Sequence, residues 1–81
     1  MDIIIRNEAQ KQIKKLPPVE LKKIIKKIKN LSLEPDSGKQ LKGEFTGLFS
    51  LRAWPYRIIY QIAKNKIIIF SVAHRQSAYK Q

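Results

Sequence analysis

The sequence contains no cysteine, which excludes a disulfide framework and any metal site built from thiolates. Histidine occurs once, at His74, and the six acidic residues are scattered along the chain. Metal-dependent nucleases need grouped carboxylates or histidines to hold their ions, so this composition argues against that chemistry. Gly43 and Gly47 do not fit a glycine-rich phosphate loop, which argues against a nucleotide-binding fold. We therefore expect no metal and no cofactor.

Long apolar runs are also missing. The first ten residues, MDIIIRNEAQ, hold an acid at Asp2 and only three consecutive isoleucines, which is too little for a signal peptide. The apolar runs elsewhere are far shorter than a membrane span. The sequence therefore predicts a cytoplasmic protein that does not cross a membrane. Its 81 residues, 43% of them hydrophobic, predict one small domain over residues 1–81.

Negative charge is scarce, and this is the strongest signal in the composition. The chain has 17 lysines and arginines against six acidic residues, a net charge of +11, and no acidic residue follows Glu44. An unbalanced positive field attracts polyanions and steers their association. The composition therefore indicates RNA, DNA, the ribosome or an acidic protein as the partner.

The N-terminal half has the pattern of a short strand followed by two helices. Residues 2–6 predict the strand, and Asn7 is expected to cap the first helix, which ends at Pro17 and Pro18. The second helix carries one apolar stripe, which predicts a helical hairpin that packs one face on an apolar surface. The lysines that lie off this stripe include Lys22, Lys26 and Lys29.

The C-terminal half changes to the two-residue period of β-strands. Strands are predicted over residues 45–53, 56–62 and 66–75, separated by Pro55 and by a tight turn in which Asn65 takes the left-handed conformation. The last strand is apolar at nearly every position, which predicts an interior place in the sheet. The predicted order is β-α-α-β-β-β, an α+β domain in which the helical hairpin covers one face of a small antiparallel sheet.

The strand order brings basic residues to one end of the predicted sheet. In adjacent antiparallel strands the end of one lies beside the start of the next, so Arg52, Arg57 and Arg75 should lie close together, with His74 and Tyr79 nearby. Arginines bind phosphate through their fork of donors, and histidine or tyrosine can move protons. Because RNA carries its own nucleophile, the 2′-hydroxyl, this cluster favours metal-free chemistry on a phosphodiester.

Residues 41–62, LKGEFTGLFSLRAWPYRIIYQI, and residues 67–79, IIIFSVAHRQSAY, resemble the RelE/ParE superfamily of bacterial and archaeal toxins. The shared pattern is Leu-x-Gly, Leu-Arg, Tyr-Arg-x-x-Tyr, and an apolar strand that ends in His-Arg with a tyrosine nearby. The resemblance implies two helices against an antiparallel sheet and a type II toxin–antitoxin system. RelE-like members cut mRNA in the ribosomal A site without metal, whereas ParE-like members inhibit DNA gyrase.

The resemblance also implies partners and residue roles. The partner is a cognate antitoxin, acidic in its toxin-binding segment, and the pair is expected to bind operator DNA through the antitoxin. Arg57 matches a family arginine that contacts the scissile phosphate, and Arg75 matches a second family arginine that is important for activity. Tyr79 resembles a tyrosine that stacks on or orients the nucleotide, and His74 is the candidate general acid or base.

Two positions depart from the family pattern. Leu48 and Ser50 stand where the best-known RelE-type sites have lysines, one of which is thought to act as the base. We predict a ribosome-dependent mRNA endoribonuclease that inhibits translation. Two alternatives stay open: a ParE-like gyrase inhibitor, and a catalytically degenerate module that only binds its antitoxin. Contacts with mRNA or ribosomal RNA are predicted for Lys42, Arg52, Lys22, Lys26 and Lys29.

Overall fold

The structure is a computed structural model that describes residues 1–74, and it divides them into five strands and two helices. The helices are α1, Asn7–Lys14, and α2, Pro18–Leu31. The strands are β1, Asp2–Ile5; β2, Lys39–Gln40; β3, Phe49–Ala53; β4, Tyr56–Ala63; and β5, Lys66–His74. The predicted α+β class is confirmed. The short strand β2 falls within the segment that was predicted to be a loop.

The sheet has the strand order β1-β5-β4-β3-β2 within the described residues. Strands β3, β4 and β5 pair in antiparallel fashion, as predicted, and β2 pairs with β3 in the same sense. Strand β1, however, lies parallel to β5, with Ile3 beside Ile67 and Ile5 beside Ile69. The sheet is therefore mixed. Parallel pairing requires a long connection between the two strands, and here the chain over residues 6–65, which begins with the helical hairpin, provides it.

Strand β5 lies between β1 and β4, which confirms the interior place predicted from its apolar sequence. A bulge interrupts its pairing with β4: Ile59 pairs with Ser71 and Tyr60 pairs with Ile69, so Phe70 is an extra residue. A bulge of one residue reverses the alternation of faces along the rest of the strand. The core residues of β5 are accordingly spaced unevenly: Ile67, Ile69 and Val72.

The core lies between the two helices and one face of the sheet. Each large aliphatic side chain that is fully buried in this core stabilises the fold by roughly 1.5–3 kcal/mol. No helix within residues 1–74 is long and apolar enough to cross a membrane. The buried core residues are Ala9, Ile24, Ile28, Leu31, Ala53, Ile58, Tyr60, Ile67, Ile69 and Val72.

The ends of the helices follow the prediction in outline. Pro17 precedes α2 and Pro18 is its first residue, so the two prolines separate the helices as expected. The start of α1 differs, because the capping position is Arg6 and Asn7 is already helical. Gln10 stabilises this junction, since its Nε2 donates a hydrogen bond of 2.8 Å to the carbonyl oxygen of Ile5.

The turn between β4 and β5 differs from the prediction by one residue. Lys64, with a φ of 56°, adopts the left-handed conformation that was expected at Asn65. Asparagine tolerates this conformation better than lysine does, because its short polar side chain can form a hydrogen bond with the nearby backbone. Two-residue hairpin turns need a positive φ at their first central position, and lysine occupies that position here.

Tyr60, the second tyrosine of the Tyr-Arg-x-x-Tyr motif, has a structural role. Its side chain is fully buried, and its hydroxyl donates to the carbonyl of Pro35 over 2.7 Å and accepts from the N–H of Gly38 over 2.9 Å. A Cβ at position 38 would lie 2.5 Å from the Tyr60 hydroxyl oxygen, so glycine is required there. Burial raises the pKa of Tyr60 above its ordinary value of 10.0, and the Gly38 hydrogen bond partly offsets this.

Candidate functional site

Arg52 and Arg57 lie directly opposite each other on β3 and β4. The position of Arg57 is also beside Ala73 of β5, so three strands contribute to this end of the sheet. The structure therefore brings Arg52 and Arg57 together as predicted, and we call them the arginine pair. Ile58, the residue after Arg57, belongs to the core, so strand alternation directs both arginines to the face that the helices leave open.

The arginine pair has the electrostatics of an anion site. Like charges directly opposite each other on neighbouring strands destabilise a sheet, by up to about 1 kcal/mol. Neither guanidinium forms an ion pair with a carboxylate of residues 1–74, and the chain has no acidic residue after Glu44. Two guanidinium forks on one face can hold a phosphate through several charge-assisted hydrogen bonds.

His74 lies at the same end of the sheet but on the other face. It is opposite Tyr56 in the β4–β5 register, and the two rings meet edge to face with centroids 5.8 Å apart. The expectation that His74 clusters with the arginines therefore needs correction. The bulge at Phe70 is the reason, because it sets which residues at the end of β5 face the helices.

Two further predicted site residues, Arg75 and Tyr79, lie outside the described residues. Their assignments therefore rest on the sequence alone. Arg75 directly follows His74, the last residue of β5 that the structure describes.

Leu48 and Ser50, which stand where the best-known RelE-type sites have lysines, lie around the start of β3. Ser50 lies in β3, is buried, and pairs with Ile59. Leu48 is half-buried just before β3, where its carbonyl accepts a hydrogen bond from the Leu41 N–H over 2.9 Å. Ser50 lies two residues before Arg52, so strand alternation places it on the face of the arginine pair. Leu48 and Ser50 therefore add no positive charge to the chain segment that leads to Arg52.

The predicted RNA-contacting lysines do not join the arginine pair. Lys42 lies in the connection that leads into the start of β3, whereas Arg52 is near the end of that strand. The core residues of α2 face the sheet, and the sheet separates this helix from the open face. The exposed lysines of α2 therefore form a second basic surface on the opposite side of the molecule: Lys22, Lys26 and Lys29.

Trp54 is a site residue that the sequence analysis missed. It occupies the turn between β3 and β4, the residue is 50% exposed, and the guanidinium carbon of Arg52 lies 5.3 Å from its ring centroid. Lys23 fixes this turn, because its Nζ donates a hydrogen bond to the Trp54 carbonyl and pairs with Glu20 over 3.1 Å. The available signal was the position of the single tryptophan, between Leu-Arg and Tyr-Arg.

No group of three or more histidine and acidic residues within residues 1–74 is arranged to hold a metal ion. The two guanidinium groups of the arginine pair can bind and polarise a phosphate through charge-assisted hydrogen bonds. An exposed aromatic ring borders this site, and a histidine lies at the same end of the sheet.

Comparison with known proteins defines the class of this fold and site. Residues 3–79 match the ParE toxin family of the type II toxin–antitoxin system parDE. The chain is 35% identical to the toxin RelG of Mycobacterium tuberculosis, over 90% of this chain and 88% of that protein. The chain therefore belongs to the RelE/ParE superfamily of type II toxins, as the sequence motifs predicted.

Solved structures agree with this family. The toxin–antitoxin complex RelBE2 of Mycobacterium tuberculosis contains a chain with a TM-score of 0.84 and 33% identity, covering 91% of this chain and 96% of that one. An archaeal RelE–RelB complex from Pyrococcus horikoshii gives a TM-score of 0.78 at 24% identity, over 95% and 97% of the two chains. The isolated RelE toxin of E. coli gives 0.77 at 20% identity, over 90% and 82%. The last two likenesses concern the fold alone.

Proposed function

We propose that this toxin is a metal-independent endoribonuclease that cleaves mRNA on the ribosome, in the cytoplasm, and so inhibits translation. The observation that carries the proposal is the arginine pair: two cationic forks on one open face, without a carboxylate partner in residues 1–74. RNA cleavage is typical of RelE-like toxins, and the chain shares 35% identity with RelG.

The proposed reaction needs only groups that RNA and protein side chains supply. The 2′-oxygen attacks the adjacent phosphorus as its proton passes to a base, and the bond to the 5′-oxygen breaks as that oxygen takes up a proton. The products are a 2′,3′-cyclic phosphate and a 5′-hydroxyl. Arg57 stabilises the charge that develops on the phosphorane, an effect of a kind that typically contributes about 10²–10³ in rate.

Three predicted roles remain part of this proposal. Arg75 assists Arg57 at the phosphate, and Tyr79 stacks on or orients the nucleotide. His74 is retained as general acid or base because it is exposed at the end of the sheet where the arginine pair lies. Its ring contacts Tyr56 on the face opposite the arginine pair.

Two basic surfaces suit the proposed partners. We propose that Arg52 contacts RNA as a member of the arginine pair. Ribosomal RNA is proposed to bind through its phosphates to Lys42 and to the exposed lysines of α2, Lys22, Lys26 and Lys29. A cognate antitoxin with an acidic toxin-binding segment would complement the net charge of +11. Related toxins have been solved in complexes with antitoxins. The pair is proposed to bind operator DNA through the antitoxin.

A second candidate function is inhibition of DNA gyrase. The observation in its favour is the match of residues 3–79 to the ParE toxin family. The neutral residues Leu48 and Ser50, on the chain segment that leads to Arg52, also fit a toxin without ribonuclease activity, including one that has kept only antitoxin binding.

Tightly controlled expression in bacteria separates these functions. The variants are wild type, Arg57→Gln, and Lys14→Gln, which removes one charge from an exposed position of α1 and serves as the matched control. We expect wild type and Lys14→Gln to arrest translation within minutes and to leave cleaved mRNA, and Arg57→Gln to be far less toxic. A DNA damage response without mRNA cleavage would instead support gyrase inhibition. Absence of growth arrest would support a module that only binds antitoxin.

A further inference from the structure

The single tryptophan of the chain is exposed beside the arginine pair, although aromatic side chains of this size are normally well buried. Its 50% exposure cannot be attributed to a loose turn. The Trp54 carbonyl accepts a hydrogen bond from Lys23, which in turn pairs with Glu20, so the turn is tied to α2. The ring is therefore presented from a fixed backbone.

The Trp54 ring lies next to Arg52, one of the two arginines of the proposed phosphate site. Arg52 contributes to the arginine pair and also packs against the Trp54 ring, with 5.3 Å between its guanidinium carbon and the ring centroid. Arg57 follows Trp54 by three residues and is the partner of Arg52 across the strands. A nucleotide next to a phosphate held by the pair would therefore lie within reach of the tryptophan ring.

We propose that Trp54 is a base-stacking residue for single-stranded RNA whose phosphate is bound by the arginine pair. This inference rests on the proposed function for the identity of the ligand. Unstacked bases of single-stranded RNA bind to aromatic side chains and to arginine planes, and this stacking tolerates different base identities. Arg52 on the ring strengthens the platform through the cation–π contact.

Phosphate binding by the arginine pair and base stacking on Trp54 should differ in how they depend on salt. Arginine contacts to phosphate release counterions, so each lost contact makes the logarithm of affinity less dependent on the logarithm of salt concentration, by about 0.7 for a single strand. Stacking on Trp54 involves no ion and leaves that slope unchanged. If Trp54 only held the β3–β4 turn, its replacement would not be expected to weaken RNA binding while leaving the salt dependence of that binding unchanged.

The experiment uses Trp54 as its own reporter, because it is the only tryptophan in the chain. Fluorescence of the full chain is titrated with a short single-stranded 2′-O-methyl RNA, which cannot be cleaved by 2′-hydroxyl attack, and with inorganic polyphosphate as a polyanion without bases. We expect saturable quenching by the RNA and little quenching by polyphosphate. Equal quenching by the two polyanions, or none with RNA, would overturn the inference.

Variants complete the test, with binding followed through a dye on the RNA. We expect Trp54→Ala to weaken binding by roughly 5- to 100-fold with an unchanged salt slope, and Trp54→Phe to retain most of the affinity. Leu33→Ala, at a side chain 81% exposed, is the control for loss of an exposed apolar group and should bind as wild type. Wild-type affinity in Trp54→Ala, or an equal loss in Leu33→Ala, would refute the stacking role. RNA binding through Trp54 without mRNA cleavage would leave this inference standing and remove the proposed function.

Discussion

Replacement of Tyr60 by phenylalanine tests how the connection between α2 and β3 is held to the sheet. The variant keeps the ring, which stacks on Phe49 with centroids 5.2 Å apart, and removes only the hydroxyl. The N–H of Gly38 and the carbonyl of Pro35 then lose their partner. Leaving such part-buried groups unpaired costs up to about 1–3 kcal/mol, out of roughly 4–12 kcal/mol expected for a chain of this length.

The assay is reversible denaturation by urea, followed by circular dichroism. We expect the midpoint to fall with little change in slope, because the surface exposed on unfolding is nearly the same. Tyr56→Phe is the matched control, since the Tyr56 hydroxyl forms no hydrogen bond within residues 1–74, and it should change stability by less than about 0.5 kcal/mol. Equal stabilities of Tyr60→Phe and Tyr56→Phe would refute the anchoring role.

The same variant gives a pH prediction. Burial raises the pKa of Tyr60 above 10.0 in the folded chain, which means that the fold favours the neutral phenol. The stability that depends on this phenol is therefore fully present below about pH 10 and is lost as the pH rises through the folded pKa. The stability advantage of wild type over Tyr60→Phe should shrink in this alkaline range. An advantage that grows with pH would contradict the sign.

Three further changes test other parts of the fold. Gln12→Leu removes the Oε1 that accepts a hydrogen bond of 2.6 Å from the Val72 N–H. Hydrogen exchange of the Val72 amide should therefore be several-fold faster in this variant. The control is Gln10→Leu, which loses its hydrogen bond to Ile5 and should leave exchange at Val72 unchanged. Lys64→Asn should stabilise the β4–β5 turn by about 0.5–1 kcal/mol and Lys64→Val should destabilise it, because a φ of 56° suits asparagine better than lysine and suits a β-branched residue least. Equal melting temperatures would contradict this. Gly38→Ala should cost about 1–3 kcal/mol through its clash with Tyr60, and an unchanged stability would show that the ring can move aside.

Local periodicity and strand adjacency made most of the fold predictable. The apolar stripe of α2, the two prolines between the helices and the alternation around Arg57 each have a direct physical cause in the sequence. The meeting of Arg52 and Arg57 followed from the short turn between their strands. The parallel pairing of β1 with β5 joins residues more than sixty positions apart, and no local pattern specifies it.

The bulge at Phe70 set the limit of prediction at the candidate site. The run from Ile67 to Val72 is apolar at all positions but Ser71, so an extra residue produces no visible break in the pattern. The bulge nevertheless decides which face His74 occupies. Trp54 was missed for a related reason: a tryptophan in a turn looks like a packing residue until its exposure and its contact with Arg52 are known.

The ends of the cleaved RNA test the central claim most directly. Purified toxin is mixed with ribosomes that carry an mRNA, and the termini at each cut are identified. We predict 5′-hydroxyl and 2′,3′-cyclic phosphate ends, and no cut where the nucleotide on the 5′ side lacks its 2′-hydroxyl. The cleavage rate should be about 10²- to 10³-fold lower for Arg57→Gln and unchanged for Lys14→Gln. Intact mRNA, ends with 3′-hydroxyl and 5′-phosphate, or equal rates for the two variants would contradict it.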